Sequence, residues 1–155
     1  MKEKTIIGRV EKVIFPELQY VVLYARIDTG AKTSSIWATY IEETPKGLQV
    51  RFGYGDSGEQ PVEKLFVYYD RVRVASSMGH KQVRYRIKMP IVIRKRRIYA
   101  TFTLADRSKQ VYPVLIGRAT LLGKFIVDVS LGSPLRDEEL RHSMILQAGL
   151  KEEHI

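Results

Sequence analysis

The sequence predicts an all-β domain, a small barrel or sandwich carrying one or two short helices, and three observations support this. Most of the chain alternates apolar and polar residues with a period of two. Clusters of Gly, Pro, Asp and Ser interrupt that alternation at short intervals. Helical spacing is confined to two short stretches near the C-terminal end.

The elements follow in order. Val21, Leu23, Ala25 and Ile27 share one face of a strand, and Ser34 to Ala38 begins another. Pro45-Lys46-Gly47 reads as a turn into a strand in which Leu48, Val50 and Phe52 alternate with Gln49 and Arg51. Gly53 to Gly58 reads as a glycine-rich loop, and Ser76-Ser77-Met78-Gly79 as a hairpin turn. Beyond it, Val83, Tyr85, Ile87 and Met89 oppose Arg84, Arg86 and Lys88. Ile98, Ala100, Phe102 and Leu104 then oppose Arg97, Tyr99, Thr101 and Thr103. After the turn Ala105 to Ser108, Tyr112 to Ile116 is uniformly apolar, as expected of a central strand covered on both sides. A short helix is expected over Arg118 to Leu122. A second is expected over Leu135 to Ala148, with Pro134 at its start and Gly149 at its end. No repeat, low-complexity tract or linker divides residues 1–155, so one domain is expected.

Composition narrows the function classes. At 45% apolar and 28% charged residues the chain is too apolar for a disordered protein, and 155 residues suffice to bury a core. With no cysteine, disulfides, thiolate metal sites and cysteine nucleophiles are all excluded. No apolar run approaches the roughly 20 residues of a membrane helix. Met1 to Thr5 leads into a strand pattern rather than the apolar core of a signal peptide. A cytoplasmic protein without membrane association is expected. The net charge of +9 favours polyanionic partners, an acidic peptide or nucleic acid. Arg94-Lys95-Arg96-Arg97 has the composition of a nucleic-acid patch, but its place between two apolar strands fits a solvated hairpin end better. His80, His142 and His154 are far apart and form no metal-binding pair, so neither metal nor cofactor is expected.

The segment that bears chemistry is Asp28-Thr29-Gly30-Ala31, which follows directly on an apolar strand. A carboxylate held on a tight loop suits acid–base hydrolysis of a peptide bond, but that reaction needs two carboxylates sharing a proton. Asp70, Asp106 and Asp128 lack the Thr/Ser-Gly that follows Asp28; Asp56 is followed by Ser57-Gly58 but stands in a glycine-rich loop rather than behind an apolar strand, so Asp28 alone combines the motif with a strand that delivers it. The bland reading makes Asp28 an Asx-turn residue hydrogen-bonded to its own loop.

A second segment, Val114-Leu115-Ile116-Gly117-Arg118, is an apolar strand closed by glycine at the start of a helix. The pair of segments resembles the retropepsins. The string Ala25 to Ser35, with Leu104 to Ser108 and Pro113 to Arg118, resembles more specifically a bacterial retropepsin-like family historically labelled ATP-dependent zinc protease. The resemblance spans roughly residues 5–131, with residues 134–150 as a C-terminal extension. It implies a closed acid-protease barrel, a two-fold homodimer with Asp28 of each chain at the axis, and Asp28, Thr29 and Gly30 as the catalytic motif. Thr29 would hydrogen-bond across the interface, and Ala31 would pack beneath it. Ala31, Lys32, Gly117 and Arg118 would border the peptide. A hairpin flap would cover it, with the tip at Ser77, Met78, Gly79 and His80, or alternatively at the loop Gly53 to Gly58. The retroviral enzymes carry an acidic residue where this chain has Lys32, so Arg118 needs a different partner. The zinc and ATP of the historical label find no motif here. An acidic or glutamylated peptide is the expected substrate, and relatives that accompany glutamate-appending ATP-grasp ligases fit that expectation. Two other readings stand beside the peptidase: a basic β-barrel that binds RNA or a ribosomal or other protein partner, and a non-catalytic dimerisation module.

Overall fold

Period-two alternation gives strands wherever one face can be buried, and the computed structural model, which describes residues 3–53, 62–75, 79–132 and Arg141, contains eleven of them among those residues. In chain order they are β1 (Thr5–Ile7), β2 (Val10–Phe15), β3 (Val21–Ile27), β4 (Ser34–Thr44), β5 (Gly47–Phe52), β6 (Glu63–Phe66), β7 (Asp70–Ala75), β8 (Lys81–Ile93), β9 (Arg96–Ala105), β10 (Val114–Ile116) and β11 (Phe125–Val127). A single turn of helix, α1 (Arg118–Leu121), lies between β10 and β11.

Six strands close into a ring in the order β10-β3-β2-β8-β9-β4, and β4 pairs again with β10. The three residues of β10 complete the barrel, running parallel to β3 and antiparallel to β4. A closed sheet leaves no free edge around its circumference. Inside it, Phe15, Ile36, Ile87, Met89, Ile91, Phe102 and Ile116 are fully buried. The faces expected from alternation on β3, β5 and β9 are the faces that point inward. Around the ring, β4 runs on beyond the barrel to form a three-stranded extension with β5 and β6.

On β8 the expected inward face fails at one end. Ile87 and Met89 are buried, but Val83 is 58% exposed. The pairing explains this. β8 meets β9 only from Arg86, opposite Thr103, onward, whereas Lys81 to Tyr85 pair with β7 alone. The β7–β8 hairpin is therefore a two-stranded ribbon that leaves the barrel wall, packed against the core at its base through Tyr85 and paired to β4 by Arg71 on Glu43.

The basic run 94–97 is the β8–β9 turn, and it is tied to the protein. Arg94 and Lys95 take φ of +49° and +66°, the left-handed pair that a tight two-residue hairpin needs. Nε and Nη2 of Arg94 donate to the buried Glu11 carboxylate at 3.0 and 3.2 Å, and Gly8 N–H donates to it at 2.9 Å. Nη1 of Arg96 donates to the carbonyls of Glu3 and Lys124. A buried carboxylate needs such compensation.

Outside the ring, β1 and β11 form a parallel pair, and a strap over Asp128 to Leu131 folds back, with Asp128 N–H on the Ile7 carbonyl and Arg9 N–H on the Leu131 carbonyl. The first expected helix is present over Arg118–Leu121. The second, 135–148, lies outside the described residues apart from Arg141, as do 54–58 of the glycine-rich loop and Ser77 and Met78 of the expected flap tip.

Candidate active site

Asp28 stands where β3 ends and the chain must turn towards β4. Its N–H donates to the Ile116 carbonyl at 2.9 Å, extending the β3–β10 ladder by one bond and fixing its position on the barrel. Its Oδ1 accepts the Gly30 N–H at 2.9 Å, the Asx geometry of a tight loop. The carboxylate is half-buried, and Thr29 and Gly30 are exposed. A Cβ at Gly30 would lie 3.2 Å from Asp28 Oδ1. The residue is therefore small because the carboxylate folds over it; its φ is not in the left-handed region.

The loop is held from the far side by α1. Arg118 N–H donates to the Ala31 carbonyl at 2.8 Å, and Ala119 N–H to the Lys32 carbonyl at 3.0 Å. These bonds satisfy helix N–H groups that have no partner within the helix. Nη1 of Arg118 donates to the Thr29 and Gly30 carbonyls at 3.1 and 2.9 Å. Those two carbonyls are the partner that Arg118 lacked once Lys32 replaced an acidic residue.

Gly117 sits where loop and helix cross. A Cβ there would lie 2.6 Å from the Thr33 carbonyl oxygen and 2.9 Å from that of Ala31. Its N–H donates to Ser34 Oγ at 3.0 Å, and that hydroxyl contacts Thr120 Oγ1 at 2.8 Å, all of it buried.

The structure thus gathers Asp28, Thr29, Gly30, Ala31, Lys32, Gly117 and Arg118 into one unit. Gly79 and His80 stand on a different element, exposed at the end of the β7–β8 ribbon, with Gly79 at φ +80°.

Four residues join the site without having been assigned a part from sequence: Arg26, Ser34, Ser35 and Arg107. Arg107 Nε donates to the Tyr112 carbonyl at 2.9 Å and Nη1 reaches Ser35 Oγ at 3.4 Å. Burial holds its pKa below the ordinary arginine value; the charge of Arg26 pushes the same way, and Asp28 opposes. Among the described residues no group of three or more His, Cys, Asp or Glu converges.

A barrel closed by a short strand, with Asp-Thr-Gly on one side of that strand's end and Gly-Arg on the other, matches one family model over residues 6–137, that of the retropepsin-like aspartic endopeptidase RimB. The chain belongs to the RimB-like family. Curated relatives include a probable alpha-L-glutamate ligase of Desulfotalea psychrophila, 29% identical across 83% of this chain, and one of Shewanella pealeana, 31% identical across 82%. The match takes in 29% of each of those proteins, so the RimB-like chain spans less than a third of the length of these relatives. Among solved structures, a Legionella pneumophila protein of unknown function is 26% identical, with a TM-score of 0.66, covering 86% of this chain and 100% of that one. The expected retropepsin-like barrel is thereby shown, and family and relatives together point to an enzyme.

Proposed function

We propose that the chain is an aspartic endopeptidase that acts as a homodimer on glutamate-rich peptides, with Asp28 of each copy forming the catalytic pair. The observation that carries this reading is Asp28 itself, a carboxylate pinned by main-chain bonds on a loop whose Thr29-Gly30 edge is exposed, in a chain of a retropepsin-like family.

Two carboxylates about 3 Å apart share one proton. The ionised one takes a proton from water as the water oxygen bonds to the scissile carbonyl carbon. The protonated one gives its proton to the carbonyl oxygen. The tetrahedral diol then collapses, the C–N bond breaks, and the nitrogen leaves with a proton returned by the pair, giving an acid and an amine. Titration belongs to the pair rather than to either residue.

The homodimer is supported by Asp28-Thr29-Gly30 being the one Asp-Thr/Ser-Gly that follows an apolar strand in the sequence. It is supported also by exposed apolar side chains on and beside the β1–β11 pair: Ile6 opposite Ile126, with Leu122, Val129 and Leu131 following α1 and β11. Such a surface suits a two-fold contact between copies. The β7–β8 ribbon, ending at Gly79 and His80, is the flap of this reading. Glutamate-rich substrates fit the net charge of +9 and relatives named as glutamate ligases.

The test is mass spectrometry of a peptide library that includes glutamate-rich members, incubated between pH 4 and 8 with wild type and Asp28→Asn. Cleavage should fall by at least roughly 10³-fold in the variant. Cleavage that survives the substitution removes Asp28 from the reaction.

A further inference from the structure

Two cations that form no ion pair among the described residues flank the Asp28 loop. Arg26 and Ser35 both register with Leu115 across the β3–β10–β4 sheet, so these three side chains rise from one side of the wall. Arg26 is exposed between the buried Ala25 and Ile27, and Asp28 follows two residues later in the same phase of the pleat. Arg107 reaches this side from the β9–β10 connection and rests against Ser35.

Arg107 is half-buried, yet its partners are a carbonyl and a hydroxyl. Among the described residues neither it nor Arg26 has a carboxylate within ion-pair distance, whereas Arg51, Arg71, Arg86 and Arg94 each have one. A guanidinium carries five N–H donors, and those on Nη2 of Arg107 have no protein acceptor among the described residues. Removing a cation from water next to a second cation is unfavourable; Asp28 offsets part of that from beyond ion-pair distance, and an arriving anion in direct contact offsets more.

We propose that Arg107, with Arg26 beside it, is the specificity subsite for a carboxylate-bearing side chain next to the scissile bond. An incoming glutamate carboxylate meets the free edge of the Arg107 guanidinium, and Arg26 adds its charge from the open side. Glutamine is isosteric but carries no charge, so it adds no compensation to either cation. The inference rests on Asp28 being the catalytic carboxylate.

The test separates binding from cleavage. In the Asp28→Asn background, dye-labelled hexaglutamate and hexaglutamine are titrated by fluorescence anisotropy into the chain, its Arg107→Gln and Arg26→Gln variants, and a Lys95→Gln control. Lys95 lies on the distant β8–β9 turn, and its variant loses the same net charge. Hexaglutamate should bind tighter than hexaglutamine, and Arg107→Gln should cut that preference between about 10- and 100-fold, the range of a charge-assisted hydrogen bond. Arg26→Gln should cut it less and leave Tm unchanged, which keeps the test valid if Arg107→Gln folds poorly. Lys95→Gln should leave the preference intact. An equal loss in the Lys95 variant, or an unchanged preference in Arg26→Gln and a folded Arg107→Gln, overturns the subsite. Wild type that cleaves neither peptide counts against the peptidase reading, and the binding arm still judges the subsite.

Discussion

Gly117 and Ser34 together show how the Asp28 loop is kept in register with its helix. A methyl group at Gly117 meets two backbone carbonyls, so Gly117→Ala should destabilise the fold by about 1–3 kcal/mol, the usual penalty for overpacking a site that cannot yield. Ser34→Ala leaves the buried Gly117 N–H without its acceptor and should cost about 1–3 kcal/mol. Both are read as shifts in the urea midpoint at unchanged slope. Arg118→Gln should behave differently. It releases the Thr29 and Gly30 carbonyls on an exposed surface, so on the peptidase reading activity should fall at least tenfold, with less loss of Tm than either of the other two variants. Equal effects on Tm and activity would make Arg118 a merely structural residue. At this scale Asp28 to Ala31 and Gly117-Arg118 were legible, because a strand, an acid and a glycine sit side by side in the chain. Arg107 was legible only as part of a motif. Its contact with Ser35 spans 72 positions, and nothing local signals an arginine that lacks a carboxylate.

Among the elements, the β7–β8 ribbon and the barrel wall are parts of one strand with opposite circumstances. Up to Tyr85, β8 has a neighbour on one side only; from Arg86 it has β9 as well, and from Ile87 its inward residues are sealed in the core. Hydrogen exchange should reflect that division. Amides of Arg71 to Ala75 and Lys81 to Val83 should exchange through local opening, and those of Ile87 to Ile93 and Ile98 to Phe102 only through global unfolding. Equal protection in the two stretches would mean that the ribbon is packed and is not a lid. The long hairpin β8–β9 was legible because both strands alternate strictly over many residues. β6 was hidden, since Glu63 to Phe66 is short and sets charge beside its apolar residues, and β7 was legible only as the first arm of the expected hairpin. The closure of the ring by β10 was equally hidden. Three apolar residues indicate burial, but not which two strands they will join.

For the molecule as a whole, acid stability should depend on three exposed carboxylates. Asp70 is held below the ordinary carboxylate value by its bonds to Arg86, Asp106 by the Ser108 N–H, and Asp128 by Ser130. A depressed pKa contributes stability that is fully present above the unfolded value of 3.8 and lost as pH falls through the lower folded values. The urea midpoint should therefore hold steady down to about pH 5 and decline below pH 4, with a shallower decline in Asp128→Asn, whose strap no longer titrates. An identical pH profile in that variant would remove Asp128 from the account. The strap and the Arg118 clamp are built from bonds within one chain. Those bonds are available to a single copy, so on the homodimer reading a dilute solution should hold folded, dormant halves rather than unfolded ones. Specific activity should then climb with the protein's own concentration, and a compound that keeps two copies apart should silence the enzyme without melting it.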